Sequence, residues 1–207
     1  EIFKDIGIEI VDYKVSFNEK QAIEYSSQIG FPLAMKVLSS EIMHKTETGG
    51  VELNIKNLEE VKISFKKLSD VFQKLKINSS EKKFIIQKME KGIAEIILGY
   101  RVDELVGPIV VIGSGGILSE IYNDKSIRMA PVDITEAKKM IKEVKSLVTI
   151  TGYRGLPEVD INIIATAIVN ISKFALVKEI KEAEINPVIV KKNNEGIVAV
   201  DGLITLK

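Results

Sequence analysis

Apolar residues recur along the chain at two different spacings, which predict a mixture of strands and helices. The segment 31–38 is apolar except for Lys36. As a strand it would place its odd-numbered residues on one face, and Ala34 with Lys36 on the other. A second strand is predicted at 51–55, so that residues 39–50 would connect two strands.

Helices are predicted where apolar residues recur every three or four positions behind a capping residue. Asn18 is such a cap, with Gln21 three residues later, and Gly30 ends the helix. Asn57 begins a longer helix that runs to about residue 76. Further strands are predicted at 7–15, 83–89, 94–98, 108–112, 127–131, 184–191 and 197–206, and further helices at 135–147, capped by Thr135, and at 160–177.

The order of these elements predicts the fold class. Strands and helices do not alternate in a simple strand–helix–strand order, which argues against a doubly wound parallel sheet. We therefore predict an α+β fold with two lobes. One lobe is expected over residues 1–90, and the other, with a C-terminal hairpin, over residues 91–207.

The C-terminal hairpin is predicted to place oxygen ligands close together. Glu184 and Asn186 are two residues apart, so their side chains share a face of the strand. If the turn covers Lys192–Glu195, then Asn186 lies directly opposite Asp201. Such a set suits Mg²⁺, which takes one or two carboxylates and leaves other positions to phosphate and water. A polar, solvated sheet face is the alternative, and a one-residue slip in register would separate the ligands.

Composition excludes several classes of function. The chain has 207 residues, of which 45% are hydrophobic and 28% charged, a balance that supports a folded core. Lys plus Arg equals Asp plus Glu at 29 each, so the basic charge expected of a nucleic-acid-binding protein is absent. No apolar run reaches the ~18 residues of a membrane span. Cysteine is absent, which excludes disulfides and fits a cytoplasmic location.

The segment 35–51 carries the residue types that phosphate chemistry uses. Lys36 would be a point charge for polyphosphate, or else a lysine on a solvent-facing side of its strand. His44, the only histidine, would be a base or a phosphoryl acceptor, or else an ordinary surface residue. Gly49 and Gly50 would let the backbone approach a phosphate, or would simply form a turn into the next strand.

A glycine-rich segment follows the buried strand at 108–112. Gly113-Ser-Gly-Gly is not a P-loop, because no Gly-Lys-Ser/Thr follows, and it lacks the spacing of a dinucleotide fingerprint. We expect a close approach to backbone there. Glu120 and Arg128 flank the segment and would suit an ordinary ion pair.

Short motifs follow one another in a recognisable order. They are Phe-Pro-Leu-Ala-Met-Lys, His-Lys-Thr-Glu-Thr-Gly-Gly-Val, Ile-Gln-Lys-Met, Ala-Glu-Ile-Ile-Leu-Gly, Val-Gly-Pro, Gly-Ser-Gly-Gly-Ile-Leu-Ser-Glu, Arg-Met-Ala-Pro, Thr-Gly-Tyr-Arg-Gly, Glu-Ile-Asn-Pro-Val-Ile-Val and Val-Asp-Gly. In this order they closely resemble the ATP-grasp domain of the ADP-forming acyl-CoA synthetases, and the β subunit of the acetate–CoA ligases in particular. The resemblance covers nearly the whole chain.

The resemblance implies a fold, a reaction and a partner. The fold would be a two-lobed ATP-grasp fold with nucleotide bound between the lobes, and the cofactors would be ATP or ADP with Mg²⁺. The reaction would interconvert acyl-CoA, ADP and phosphate with the free acid, CoA and ATP. A CoA-binding α subunit would carry the primary phosphohistidine, and an α2β2 heterotetramer would be the expected assembly.

The resemblance also implies roles for individual residues. His44 falls on a histidine that is thought to pass the phosphoryl group onward to ADP, and Lys36 falls on the lysine that binds nucleotide phosphates. Arg128 matches an arginine near the transferred phosphate. The remaining positions are Gly49 and Gly50 beside the nucleotide, the adenine hinge at Gln87, Lys88 and Met89, the acid near the ribose at Glu95, and the metal-binding region at Glu184, Asn186 and Asp201.

Two other functions stay open at this point. A succinate–CoA ligase or another ATP-grasp ligase would share Lys36 and the metal hairpin, but His-Lys-Thr-Glu-Thr-Gly-Gly favours the acetate–CoA type. A nucleotide-sensing regulatory module of an acetyltransferase is the alternative from another class. The presence of both His44 and the metal positions favours catalysis. One departure from the family pattern is Gly202, where alanine is common.

Overall fold

The computed structural model of the chain describes residues 2–39, 48–75, 82–116, 123–152, 154, 159–192 and 195–207. The chain divides into two compact units. The N-terminal unit is Val11–Met89, and the C-terminal unit combines Glu1–Ile10 with Glu90–Lys207. Residues 2–10 therefore pack with the C-terminal unit, whereas the lobe boundary predicted from the sequence places them in the N-terminal lobe. In the part of the chain that is described, no helix is long and apolar enough to cross a membrane.

The regular elements of the described residues are mostly short. In chain order they are α1 (Ile2–Asp5), β1 (Tyr13–Ser16), α2 (Glu19–Ile29), β2 (Leu33–Leu38), β3 (Val51–Ile55), α3 (Leu58–Lys74), β4 (Lys83–Lys88), β5 (Ala94–Asp103), β6 (Gly107–Ser114), β7 (Lys125–Met129), α4 (Ile134–Glu143), α5 (Ile161–Ser172), β8 (Ile180–Val190), β9 (Ile197–Ala199) and β10 (Gly202–Leu206), with 3₁₀ helices at Lys145–Ile150 and Lys173–Leu176.

The N-terminal unit is a four-stranded antiparallel sheet, ordered β1-β4-β2-β3, with α2 and α3 packed on one face. The alternation predicted for β2 is confirmed. Leu33, Met35 and Val37 are fully buried in the core against the helices, so Ala34 and Lys36 lie on the opposite face.

Helices α2 and α3 begin at the caps that the sequence predicts. The side chain of Asn18 accepts the backbone N–H of Gln21, and the side chain of Asn57 accepts that of Glu60. Each cap pairs one of the backbone donors that a helix start leaves without an intrahelical partner. These local rules hold here because cap and partner are only three residues apart.

The C-terminal unit is built on a six-stranded sheet in the order β10-β8-β5-β6-β7, with β9 added to β8. Helices α4 and α5 pack on one face, against Tyr100, Val110 and Ala183 of three successive strands. We call this the inner face. The other, outer face carries Glu184, which lies opposite Gly99 of β5.

The strand predicted at 7–15 does not form as one element. Ile10 makes an isolated parallel bridge to Ala199 of β9, whereas Tyr13 pairs with Gln87 of β4. The two ends of the segment thus belong to different units. A local β-branched pattern carries no information about which sheet each half will join.

The helix predicted at 135–147 begins and ends earlier than expected. The side chain of Asp133 accepts the N–H of Glu136, so Asp133 rather than Thr135 is the cap. The α-helix ends at Glu143, and a 3₁₀ helix continues over Lys145–Ile150. The predicted cap at Thr135 is therefore wrong, because Asp133, two residues earlier, is an equally good capping residue and begins the helix.

Candidate functional site

Lys36 is a buried charged side chain on an otherwise apolar strand. It is 6% exposed and lies between Val51 of β3 and Ile85 of β4. The alternative of a solvent-facing lysine is therefore wrong. Taking an ammonium group out of water is costly, so a lysine is rarely buried unless its charge is matched. The position of Lys36 on the face opposite the core is established, and its binding of nucleotide phosphate stays a prediction.

Two glycines lead the chain from the β2–β3 connection into β3. Gly49 has a φ of +71°, in the left-handed region that favours glycine, and it lies in a turn. The carbonyl of Gly50 accepts the N–H of Val37 at 2.9 Å. The described geometry is thus that of a turn, and phosphate binding by these glycines stays a prediction.

His44 lies outside the described residues, within the segment 40–47. The described residues on the two sides of this segment lie next to each other. The N–H of Val37 donates to the carbonyl of Gly50, and Lys36 pairs with Val51. The described residues that flank the segment are therefore neighbours in the sheet, next to Lys36. Its role as a phosphoryl acceptor stays a prediction.

The predicted adenine hinge closes one end of the N-terminal sheet. The N–H of Lys88 donates to the carbonyl of Asp12 at 3.0 Å, and the N–H of Met89 donates to the carbonyl of Pro32 at 3.1 Å. Proline has no N–H, so Pro32 cannot return a bond to the carbonyl of Met89. The N–H groups of Lys88 and Met89 are thus both committed to the protein, and Pro32 has no donor to offer the Met89 carbonyl in return.

The side chains of Met89 and Gln87 in the hinge also have defined surroundings. The thioether of Met89 accepts the backbone N–H of Asn54 at 2.9 Å, at a point where Asn54 has a φ of 59°. Gln87 is 4% exposed and lies opposite Ala34, on the same face of the sheet as Lys36. The structure therefore brings Lys36 and Gln87 together. Asp12, Pro32 and Asn54 were missed by the sequence analysis, since no local pattern marks a residue whose backbone supports a distant strand.

Glu95 is exposed, and the glycine-rich segment approaches its backbone. The N–H of Gly115 donates to the carbonyl of Glu95 at 2.7 Å. A Cβ on Gly115 would lie 2.9 Å from the Cβ and the carbonyl carbon of Glu95, closer than side chains tolerate. The close approach expected for Gly113–Gly116 is confirmed, and the group approached is the protein's own strand β5.

The C-terminal hairpin has the register that the sequence predicts. The N–H of Asn186 donates to the carbonyl of Asp201 at 3.0 Å, which places the two residues opposite each other. The turn closes between Lys192 and Glu195, whose N–H donates to the Lys192 carbonyl at 3.1 Å. The side-chain amide of Asn186 lies 3.3 Å from Oε1 of Glu184. Glu184, Asn186 and Asp201 are thus gathered on the outer face.

A β-bulge lies beside these residues. Ile96 pairs with Val188 and Leu98 with Ile185, so Asn186 and Pro187 together oppose one residue of β5. Bulges redirect side chains next to functional sites, and proline within a sheet is tolerated at such a position. The bulge therefore interrupts the regular pairing of β8 with β5 at Asn186 and Pro187, and the pairing resumes at Val188.

The oxygen donors of the hairpin fit Mg²⁺. Two carboxylates and an amide oxygen are hard ligands, and Mg²⁺ completes such a set with water and substrate phosphates. Among the described residues, no cluster of three or more His, Cys, Asp or Glu side chains is arranged to hold a metal ion. A metal on this hairpin would therefore depend on Asn186 and on ligands that the nucleotide brings.

Arg128 lies on the inner face of the C-terminal sheet. It pairs with Val110, whose side chain is in the core, whereas Glu184 lies on the outer face. Nε of Arg128 donates to Glu136 at 2.6 Å, and its Nη2 donates to Glu143. Both carboxylates belong to α4. The structure does not bring Arg128 together with the predicted metal ligands, and its role beside the phosphate stays a prediction without geometric support.

The Arg128 cluster shifts the pKa values of its members. Hydrogen bonds from Arg128 hold the pKa of Glu136 and that of Glu143 below the usual 4.5. Hydrogen bonds to Glu143 and Glu136 in turn raise the pKa of Arg128. The hydroxyl of Ser126 also donates to Glu143 at 2.6 Å. The cluster fastens α4 to β7 through Glu136 and Glu143. The ion pair expected between Glu120 and Arg128 stays a prediction, because Glu120 lies outside the described residues.

Arg128→Met should make the stability of the fold less dependent on pH. A carboxylate whose pKa is lowered on folding stabilises the fold above its unfolded pKa, near 4.5, and that stabilisation is lost as the pH falls through the folded pKa. The variant should therefore melt a few degrees lower at pH 7 and converge with the wild type in acid. Thermal unfolding from pH 7 to pH 3 measures this.

The matched control is Arg101→Met, which removes a guanidinium that pairs with the single carboxylate Asp103 and is 56% exposed. Its effect should be smaller, because exposed pairs contribute little. An equal decrease in Tm at every pH for Arg128→Met would contradict the electrostatic explanation. The affinity of Arg128→Met for nucleotide should be unchanged, and a loss of affinity would instead support the phosphate role implied by the resemblance.

A profile of the family described as ATP-grasp domain matches residues 1–206. The chain belongs to the ATP-grasp family. It is 38% identical over 207 residues to the β subunit of ADP-forming acetate–CoA ligase I of Pyrococcus furiosus, and the match covers 100% of this chain and 88% of that subunit. The α+β ATP-grasp fold predicted from the sequence is confirmed.

Solved structures of similar ATP-grasp proteins carry nucleotide analogues. Acetyl-coenzyme A synthetase 1 of Ca. Korarchaeum cryptofilum, in complex with coenzyme A, Ca-AMPCP and HgCl⁺, has a TM-score of 0.90 and 32% identity, covering 100% of this chain and 90% of that chain. The same synthetase with coenzyme A and Mg-AMPPCP, its phosphohistidine segment pointing towards the nucleotide-binding site, has a TM-score of 0.80 and 32% identity, covering 99% and 88%.

Proposed function

We propose that this chain is the nucleotide-binding β subunit of an ADP-forming acyl-CoA synthetase of the acetate–CoA ligase type. The enzyme would convert acyl-CoA, ADP and phosphate into the free acid, CoA and ATP. The observation that carries the proposal is the full-length similarity to an acetate–CoA ligase β subunit. The buried Lys36 and the oxygen ligands of the C-terminal hairpin would supply the chemistry that this reaction needs.

The residues of the N-terminal unit would bind nucleotide and relay the phosphoryl group. Lys36 would offset negative charge on the nucleotide phosphates. The Met89 carbonyl would accept a hydrogen bond from the exocyclic amine of adenine. His44 would accept the phosphoryl group from the phosphohistidine of a partner and pass it to ADP. One P–N bond breaks as another forms, and the second then breaks as a P–O bond to ADP forms.

The residues of the C-terminal unit would hold the metal. Glu184, Asn186 and Asp201 would bind Mg²⁺, and Mg²⁺ neutralises charge that develops on phosphates during transfer. Glu95 would contact the ribose. Arg128 would hold α4 against β7 through Glu136 and Glu143.

A partner subunit is part of the proposal. The relative from Pyrococcus furiosus is itself named as a β subunit, and the phosphohistidine segment in the Korarchaeum synthetase points towards its nucleotide site. We propose a CoA-binding α subunit that carries the primary phosphohistidine, assembled with this chain as α2β2. The acyl substrate would be chosen by that partner.

A reconstitution assay tests the proposed function. The chain and the α subunit that co-purifies with it should together form ATP from acetyl-CoA, ADP and phosphate, and neither should do so alone. Asp201→Asn should lower the rate in the same assay. Nucleotide binding without ATP formation in the reconstituted complex would contradict the synthetase and indicate a nucleotide sensor.

A further inference from the structure

The N-terminal segment, residues 2–10, packs against the part of the hairpin that carries Asp201. This segment includes α1 and belongs to the C-terminal unit. It touches the hairpin at Ala199 and at Gly202, on the two sides of Asp201 in sequence. Ile8, within the segment, is 1% exposed and forms part of the core of this unit. The segment is thus integrated into the fold at the point where a proposed metal ligand is held.

Phe3 occupies the space that a side chain at position 202 would need. A Cβ on Gly202 would lie 2.5 Å from Cε2 of the Phe3 ring and 3.1 Å from Cδ2. The ring itself is held by Phe174, whose centroid lies 6.4 Å away. Position 202 therefore needs glycine because any side chain would collide with the ring. Backbone freedom is not the reason, since the φ of Gly202 is not in the left-handed region.

Phe3 and the Asp201 side chain lie on opposite faces of the sheet. Gly202 pairs with Ile185, which is buried in the core on the inner face, and this is the face where the ring packs. Asp201 lies opposite Asn186, on the outer face. The carboxylate of Asp201 also accepts the N–H of Gly202 at 3.0 Å. Gly202 therefore does two things: it contacts Phe3, and its backbone N–H orients the carboxylate of Asp201.

The other side of Asp201 is fastened by backbone hydrogen bonding. The N–H of Ala199 donates to the carbonyl of Glu9 at 2.8 Å, and Ile10 forms a parallel bridge with Ala199. Between these contacts, the Asp201 carbonyl is bonded to the N–H of Asn186. The backbone near Asp201 is thus held by β8 on one side and by the N-terminal segment at both ends.

We propose that Phe3 is a positioning residue for the metal site, acting through Gly202 to fix the direction of the Asp201 carboxylate. The proposal rests on the proposed function, in which Asp201 is a Mg²⁺ ligand. Groups that orient metal ligands without touching the metal typically change metal affinity about 10- to 100-fold when they are removed. A ring that supports a ligand by packing alone should act at the lower end of that range.

The test compares ADP binding to the full chain with and without Mg²⁺, measured by isothermal titration. Phe3→Ala and Gly202→Ala should each reduce the Mg²⁺-dependent gain in ADP affinity by about tenfold. Neither should change ADP affinity in the presence of EDTA. In the double variant the methyl group added at position 202 occupies volume that the ring has left, so Gly202→Ala should add little to Phe3→Ala. A purely structural role would not act selectively on the metal-dependent part of binding.

The matched control is Phe17→Ala, which removes a phenyl ring that is 56% exposed on the N-terminal unit and should leave both affinities unchanged. Circular dichroism verifies that each variant is folded. If Phe3→Ala unfolds, Phe3→Leu replaces it in both the single and the double variant. If Asp201→Asn removes the Mg²⁺ dependence while Phe3 and Gly202 variants retain it, the positioning role is wrong and the proposed function stands. If Asp201→Asn also retains it, the proposed metal site is wrong.

Discussion

His44→Ala should lower ATP formation at least about a thousandfold, because it removes the nucleophile of the proposed relay. A neutral imidazole is nucleophilic near pH 7, and alanine can neither form nor break a P–N bond. The affinity for Mg·ADP should be unchanged, since the proposed nucleotide contacts are made by Lys36 and by the hinge at Met89. The rate is measured in the complex with the α subunit, and the affinity by titration of this chain.

Because the chain contains a single histidine, the same variant offers a second readout. With radiolabelled phosphate and acyl-CoA, the complex should place a label on this chain that survives alkali and is lost in acid, as expected of phosphohistidine. The label should be absent from His44→Ala. Lys45→Ala, which removes the neighbouring cation, is the matched control and should keep both label and activity. Undiminished ATP formation by His44→Ala would eliminate the relay and favour direct transfer from the partner to ADP.

Lys36→Met should lower kcat/KM for ADP about a hundredfold or more while leaving the protein folded. The side chain is 6% exposed and sits on the face of the N-terminal sheet that also carries Gln87. A charge in such a place interacts with phosphate more strongly than one in water, because the surroundings screen it less. Methionine has a similar length and suits an apolar strand, so Tm should change by no more than a few degrees.

Lys83→Met is the matched control for this variant. Lys83 lies on the adjacent strand β4 but is exposed, so its charge is screened by water and salt. It should therefore have little effect on steady-state kinetics. Equal losses for both variants would show that the general positive charge of the sheet, rather than the buried position of Lys36, accounts for nucleotide binding.

Where the determinants are close together in the chain, the sequence predicted the structure well. The caps at Asn18 and Asn57 and the burial of alternate residues in β2 follow from contacts over a few positions. The hairpin register followed from the length of one turn, because a turn over Lys192–Glu195 leaves Asn186 no other partner than Asp201. The candidate metal ligands were therefore predictable as a group from the sequence and its family resemblance.

The surroundings of Arg128 depend on contacts that are distant in the sequence. Period-two alternation tells which residues of β7 share a face, but not which face the helices will cover. The sequence could not show that α4 would present Glu136 and Glu143 to the guanidinium. The face that the helices cover depends on the packing of the entire sheet. Because they cover the face that carries Arg128, this residue is separated from the predicted metal ligands on the outer face.

The sequence by itself determined the family, the local elements and the residue types available for phosphate and metal chemistry. The tertiary structure alone decided which distant residues support them. Residues 2–10 join the C-terminal unit, and Phe3 packs against Gly202, the residue after Asp201, near the far end of the sequence. No short-range pattern encodes such a contact, because burial of an aromatic ring is favourable against any apolar surface and only the complete fold determines which one it meets.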